Sequence, residues 1–127
     1  MQFKKHYTLD EARALLPQIR QWLTALNRAQ QKSARHDERS APQLASGADL
    51  GGSSVNEWLQ NLAQIQKLLL EFQTREIEVK DLKRGLIDFP AIIGGREVFL
   101  CWEQDEEDIE YWHDLETGYA GREKLKD

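Results

Sequence analysis

The glycine pair at positions 94–95 constrains this chain more than any other feature, because it lies between two apolar runs. Such a pair is typical of a two-residue β-hairpin turn, because glycine can adopt the left-handed backbone conformation of this turn without strain. A turn there pairs Ile93 with Arg96 and places Asp88 opposite Cys101. One face of the hairpin then carries alternate apolar side chains and is predicted to face the core: Ile87, Phe89, Ala91, Val98, Leu100 and Trp102.

The other face of the hairpin, called here the second face, mixes polar and apolar side chains. We expect the helices of the protein to cover the core face, so the second face is expected to stay open. Pro90 has no amide hydrogen to donate to a neighbouring strand, which predicts that the first strand lies at an edge of the sheet. The second face comprises Leu86, Asp88, Pro90, Phe99 and Cys101.

A third short strand is predicted after the acidic turn at residues 104–107. If those four residues form the turn, Glu110 pairs with Cys101 and joins Asp88 in one row across three strands. A shift of one residue would instead bring His113 to the second face, because side chains alternate along a strand. We favour the first pairing, since it buries the residues on either side of Glu110.

Two capping boxes mark the starts of two amphipathic helices. In residues 8–11 (TLDE) and again in residues 54–57 (SVNE), a hydroxyl and a carboxylate can each accept a hydrogen bond from the other residue's backbone. Apolar residues at helical spacing then predict helices over residues 8–38 and 55–80. The Gly-, Ser-, Ala- and Pro-containing stretch at 40–54 predicts a flexible loop, across which the helices are expected to pack as an antiparallel hairpin.

The composition limits the possible partners. The chain has 127 residues and a formal net charge of -5, so a nucleic-acid partner, which needs a basic face, is not expected. It shows no signal-peptide core and no run of roughly 20 apolar residues, so no membrane partner is expected either. The one cysteine allows no internal disulfide, which fits a cytoplasmic location.

These observations predict an α+β fold in a single domain over residues 1–127. A long antiparallel helical hairpin packs on a small three-stranded antiparallel sheet, a β-meander at residues 86–113, and residues 114–127 form a tail. Leu68 and Leu70 widen the apolar surface of the second helix beyond what one partner helix covers. We therefore expect a homodimer.

Four short motifs connect this sequence to a known family. They are Asp-Phe-Pro at 88–90, Leu-Cys-Trp at 100–102, Trp-His at 112–113 and Gly-Tyr-Ala-Gly-Arg at 118–122. With the opening YTLDEARALLPQIR, they resemble a small bacterial family catalogued as domain of unknown function 2203. The resemblance is closest over residues 79–122 and implies that this stretch is a functional unit. It names no substrate, because the family carries no established activity.

The strongest candidate chemistry is a metal site formed by Asp88, Cys101, Glu110 and His113. A thiolate, an imidazole and carboxylates are ligands that suit zinc or another divalent ion. The spacing matches no paired Cys-x-x-Cys motif, however. The structural alternative makes Cys101 a small buried hydrophobe, His113 a hydrogen-bonded side chain at a strand end and Asp88 a brace for a turn.

A second candidate is a nucleophilic pair of Cys101 and His113, with Asp88 orienting the histidine. Such a pair requires the thiol and the imidazole within hydrogen-bond reach. The pairing of the third strand that we favour places the two residues on opposite faces, which disfavours this candidate.

A small ligand is the third candidate. Asp88, Cys101, Trp112 and Arg122 are predicted to bind it, with Trp112 exposed or interfacial. The glycine-containing run at 118–121 can present backbone N–H groups beside Arg122 to an anion. The structural alternative is that Arg122 pairs with a carboxylate.

The sequence thus favours a non-catalytic interaction or scaffold module that forms a homodimer. A protein that binds a divalent metal or a small ligand on the open sheet face is the first alternative. A cysteine-dependent enzyme is the second.

Overall fold

Two helices followed by five short strands make up the part of the chain that this computed structural model describes, residues 1–45 and 52–126, with side chains at 1–35 and 55–126. The α+β prediction is therefore confirmed. The helices are α1 (Leu9–Ala45) and α2 (Gly52–Gln73), and the strands are β1 (Glu78–Asp81), β2 (Leu86–Ile93), β3 (Arg96–Glu103), β4 (Tyr111–Asp114) and β5 (Glu123–Lys124).

The sheet is an antiparallel meander in which each strand pairs with the next one along the chain. The predicted hairpin register is confirmed, since Ile93 pairs with Arg96 and Asp88 with Cys101. The two turn glycines have φ angles of 60° and 78°, the left-handed backbone that the turn requires.

The predicted count of three strands is wrong, because the sheet has five. Residues 78–80 were assigned to the second helix, but residues 78–81 form β1, and residues 123–124 of the predicted tail form β5. Helix α2 ends earlier because Glu76 adopts a φ of 56° and the N–H of Ile77 bonds back to the carbonyl of Phe72 at 3.1 Å. This is the Schellman ending, which usually has a glycine at the left-handed position.

The first capping box is confirmed, because the amide of Glu11 donates to the Thr8 hydroxyl at 3.1 Å and the amide of Thr8 donates to the Glu11 carboxylate at 3.0 Å. The side chain of Ser54, in the second box, lies outside the described residues. The predicted loop at 40–54 is wrong at both ends, since 40–45 and 52–54 are helical, while 46–51 lie outside the description.

The two helices are separate elements rather than a single hairpin, and they pack on each other. The ring of Trp22 meets the ring of Phe72 edge to face at 5.3 Å. The Asn61 side chain donates to the carbonyl of Ala29 at 2.8 Å. Within the described residues, no helix is both long enough and apolar enough to span a lipid bilayer.

The core lies between α1, α2 and the core face of the hairpin. The six hairpin side chains predicted to face inward are all buried there, as expected. Full burial of the Ile, Phe, Val and Leu side chains among them contributes roughly 1.5–3 kcal/mol each. From the helices, the core receives Ala12, Leu16, Ile19, Leu23, Leu26, Leu68 and Phe72.

The second face of the hairpin is not open, contrary to the prediction, because all five of its side chains are buried. Phe3 covers Phe99, with their ring centroids 5.3 Å apart. The prediction that Pro90 marks an edge strand is also wrong, because β2 lies between β1 and β3. Strand β1 pairs only with residues 86–88, so Pro90 lies beyond its end, and its carbonyl accepts from the amide of Tyr7 at 2.7 Å.

Glu97 of β3 holds the N-terminal segment in this position. Its carboxylate accepts hydrogen bonds from the amide of Gln2 at 2.7 Å, the amide of Phe3 at 3.0 Å and Nε2 of His6 at 2.7 Å. Desolvation opposes ionisation of Glu97, but the bonds from His6 and the two amides outweigh it and lower the pKa from 4.5 to about 2.

Replacing Glu97 with Gln tests this anchor through its pH dependence. Because the folded pKa lies below the unfolded one, the ionised carboxylate stabilises the fold above pH 4.5, and this contribution is lost as the pH falls towards 2. We expect urea unfolding to show the wild type as the more stable protein near neutral pH and the difference to shrink below pH 4.5. A difference independent of pH would contradict this assignment.

Gly85 and Gly94 allow the cost of backbone strain to be separated from the cost of a steric overlap. Their φ angles are nearly the same, 65° and 60°, so the strain of a substitution should be similar at both positions. A Cβ at Gly94 meets nothing within 4 Å, so Gly94→Ala should cost only the left-handed strain, about 1–2 kcal/mol. A Cβ at Gly85 would overlap Cβ of Gln104. Gly85→Ala should therefore lose about 1–3 kcal/mol more in urea unfolding. Equal losses would show that the contact with Gln104 relaxes freely.

Candidate functional site

Three polar side chains from three neighbouring strands meet on the buried second face of the sheet. Asp88 of β2, Cys101 of β3 and His113 of β4 are 1%, 0% and 2% exposed. One ligand atom from each lies within 4.8 Å of the other two. Asp88 and Cys101 are directly opposite each other, as the sequence predicted, and His113 joins them from the far side of β3.

The favoured pairing of the third strand is wrong, and Glu110 is not part of this cluster. Tyr111, not Glu110, pairs with Cys101, and His113 pairs with Phe99. Glu110 precedes β4 and is exposed. The prediction rested on burying Ile109 within a strand, but Ile109 is buried from the connection between β3 and β4, which is longer than four residues. The alternative register therefore applies, and it brings the histidine to the second face.

The two ring nitrogens of His113 both face hydrogen-bond acceptors. Nδ1 lies 2.6 Å from the carbonyl oxygen of Asp114, and Nε2 lies 2.9 Å from Oδ2 of Asp88. A carbonyl oxygen can only accept, so Nδ1 carries a hydrogen. A carboxylate oxygen also accepts, so a further proton must lie between Nε2 and Oδ2, on one partner or the other. The pair therefore holds one proton in common.

Asp88 is the least satisfied member of the cluster. Its Oδ1 is buried and accepts no hydrogen bond of ordinary distance and angle from the described residues. Burial raises the pKa of Asp88, and the His113 ring and the weak donor Cys101 oppose that rise. A buried oxygen without a donor costs about 1–3 kcal/mol, so it needs an explanation.

Cys101 is a neutral thiol in this environment. Desolvation, together with the negative charge of Asp88, raises the pKa of Cys101 to about 12, although Arg122 opposes the rise. Nη1 of Arg122 lies 4.0 Å from the sulfur atom. Cys101 and His113, the predicted nucleophilic pair, do lie on the same face of the sheet. The raised pKa nevertheless leaves the pair without a thiolate at neutral pH.

Arg122 covers the cluster and already holds a carboxylate. Its guanidinium donates to both oxygens of Glu106, at 3.0 and 2.8 Å. The rings of Tyr111 and Tyr119 flank it, with their centroids 4.0 and 4.2 Å from its central carbon. This is the structural alternative for Arg122, in which it pairs with an acid. Ligand binding by Arg122 remains a prediction.

Trp112 is not part of this cluster. It pairs with Leu100, whose side chain belongs to the core face, and it packs half-buried against the core. It lines a cavity of about 620 Å³ with Leu9, Leu100 and Leu125. That cavity and the cluster lie on opposite sides of the sheet, so the four residues predicted to bind a ligand do not surround one space.

Sequence reasoning missed the role of Glu106, Tyr111 and Tyr119. Residues 104–107 were predicted only as an acidic turn, and nothing in its composition distinguishes Glu106 from its neighbours. The glycine at 121 was a signal of a tight turn in the sequence, and the structure gives its reason, since a Cβ there would overlap the Thr117 side chain. This close approach helps to define the turn that carries Tyr119 and Arg122 to the second face.

The outer side of α2 is a second candidate surface, called here the α2 stripe. It carries five exposed aliphatic side chains. Four of them follow the alternating spacing of four and three residues that is typical of a coiled-coil seam, and Gln66 occupies a position within it. The members of the stripe and their exposures are Val55 37%, Leu59 51%, Leu62 37%, Leu69 36% and Leu70 48%.

The state of Cys101 predicts the reactivity of the folded protein. Because the thiol is buried and its pKa is raised to about 12, we expect almost no reaction with a disulfide reagent near pH 8. In guanidinium chloride the same reagent should label one thiol per chain at the ordinary rate. Labelling of the native protein as fast as the denatured protein would contradict this state.

One family model, described as an uncharacterized conserved protein (DUF2203), matches residues 5–125. Neither a curated protein nor a solved structure matches the chain. Since the family match covers nearly the whole sequence, the chain belongs to the DUF2203 family.

Proposed function

We propose that this protein is a non-catalytic interaction module that forms a homodimer through the α2 stripe. The observation that carries the proposal is the exposure of five large aliphatic side chains on one side of one helix. Scattered apolar residues are common on protein surfaces, but a contiguous row of them marks an interaction site. The opposite side of the same helix is already occupied by α1.

A second copy of this chain is the partner that the stripe fits. In a two-fold symmetric dimer the same surface meets itself, so a surface with charges of a single sign would face like charges. The seam positions at 55, 59, 62, 66, 69 and 73 carry no charged residue. Two such stripes can pack without electrostatic repulsion, and a glutamine within the seam favours one register over others.

The buried cluster supports a non-catalytic assignment. A cysteine nucleophile needs a thiolate that a substrate can reach, whereas Cys101 is fully buried and its pKa is about 12. Arg122, the cation beside it, already pairs with Glu106. The cysteine-dependent enzyme therefore has little support from the geometry.

We propose a cytoplasmic location for this module, because its single cysteine suits a reducing compartment. We also propose that its partners are proteins rather than nucleic acids or membranes. The net charge of -5 supports a protein partner over a nucleic acid, because binding to phosphates needs a basic surface.

Substituting Leu59, the most exposed residue of the stripe, tests the dimer. We expect sedimentation equilibrium at micromolar concentration to give twice the chain mass of 14.8 kDa for the wild type. Leu59→Glu would bury two carboxylates in the seam, so the dissociation constant should rise at least about 100-fold, or roughly 2.7 kcal/mol.

Ile92→Glu is the matched control, since it makes the same kind of change at a side chain 46% exposed on β2. It should leave the dimer intact. A wild type that sediments as a monomer, or two variants that weaken the dimer equally, would contradict the proposal.

A further inference from the structure

We propose that Asp88, Cys101 and His113 form a binding site for one zinc-like divalent ion between β2, β3 and β4. The site is separate from the α2 stripe and does not depend on self-association. It differs from the four-residue metal site expected from the sequence in two respects. It lacks Glu110, and it lies in the interior rather than on an open face.

The three donors already lie close to the positions that such an ion requires. A tetrahedral zinc ion holds its ligands at about 2.0–2.3 Å, so the ligand atoms lie roughly 3.3–3.8 Å from one another. The three ligand atoms here lie within 4.8 Å of one another, and Nε2 of His113 and Oδ2 of Asp88 are 2.9 Å apart. Small side-chain rotations would bring all three to a common distance from one ion.

The histidine is oriented as metal ligands are. Metal-binding histidines usually donate one ring N–H to a carbonyl or carboxylate, which fixes the ring and leaves the other nitrogen for the ion. Nδ1 of His113 makes this bond to the carbonyl of Asp114. Nε2 then points at Oδ2 of Asp88, and a cation must lie between these two acceptors. That cation is a proton in the absence of metal.

The unsatisfied oxygen of Asp88 is an independent sign of a missing partner. Oδ1 accepts no hydrogen bond, and because the side chain is only 1% exposed, bulk water does not supply one. Among the described residues, no donor meets the distance and angle of a hydrogen bond to this oxygen, and the neighbouring Cys101 thiol is only a weak donor. An ion bound beside the carboxylate would compensate this oxygen electrostatically, which the proton shared between Nε2 and Oδ2 does not do.

Charge balance favours a divalent ion over other charges. Without metal, Cys101 is a neutral thiol, and Asp88 and His113 together hold one proton and carry no net charge. A divalent ion would displace the thiol proton and the shared proton into solvent, leaving one thiolate, one carboxylate and a neutral imidazole around two positive charges. The net charge stays zero, and the Arg122–Glu106 pair above the cluster is also neutral. With both protons displaced, a monovalent or trivalent ion would leave an uncompensated buried charge.

The donor atoms also select the class of ion. Sulfur and imidazole nitrogen favour zinc, cobalt and similar borderline ions, whereas magnesium and calcium prefer shells made of oxygen. Arg122 would contribute as a positioning residue, because its guanidinium lies 4.0 Å from the sulfur and stabilises a thiolate. Three protein donors leave the fourth position of a tetrahedral ion to a water molecule.

Cobalt titration of the full chain, purified without a histidine tag, tests the site. We expect one Co²⁺ per chain and a near-ultraviolet absorption band from thiolate-to-cobalt charge transfer, which Zn²⁺ abolishes by competition. Since Cys101 is the only cysteine, this band identifies the ligand. Zn²⁺ at about 100 times its dissociation constant should raise the melting temperature by roughly 5–10 °C, and Mg²⁺ should not.

Two variants complete the experiment. Cys101→Ser should lose the band, and Glu110→Gln, the control at the exposed acid, should bind as the wild type does. If Cys101→Ser does not fold, the band of the wild type decides the question alone. Absence of the band and of any zinc-dependent stabilisation in the wild type would overturn the proposal. Stabilisation by Mg²⁺ as large as that by Zn²⁺ would overturn the ion class.

Discussion

The pairing of β2 with β3 is the constraint on which the rest of the structure depends. The turn at residues 94–95 fixes which side chains share a face, and it does so for both strands at once. One face becomes the floor of the core under α1. The other receives Asp88 and Cys101 side by side, and β4 then adds His113 to that face. A shift of this register by one residue would separate the polar pair, because the side chains of one strand would change faces.

The features that the sequence predicted correctly depend on local rules. The hairpin register, the inward face and the first capping box each follow from a few neighbouring residues. The register of β4 does not, because a connection of unknown length precedes it and Ile109 is buried without belonging to a strand. The end of α2 was missed for a similar reason: its left-handed residue is Glu76, where a glycine would have given the signal.

Only part of the candidate cluster could be predicted from the sequence. Alternation along two strands places Asp88 beside Cys101, whereas including His113 and excluding Glu110 required the register of a third strand. The cover over the cluster was not predictable, since the pair of Arg122 and Glu106 joins segments distant in sequence. The two surfaces proposed here, the α2 stripe and the buried cluster, have no described residue in common, so each can be altered without touching the other.

The cluster is closed by stretches from opposite ends of the sequence. Phe3 packs on Phe99, whose ring lies 5.4 Å from that of His113, while Arg122 lies over Cys101. These contacts join residues far apart in the sequence, so forming them closes long loops and costs more chain entropy than forming local contacts. Because the cluster is buried, we expect exchange between it and solvent to require that one of those stretches detaches. The rate of such exchange would measure how often the ends open, rather than how tightly the cluster holds its occupant.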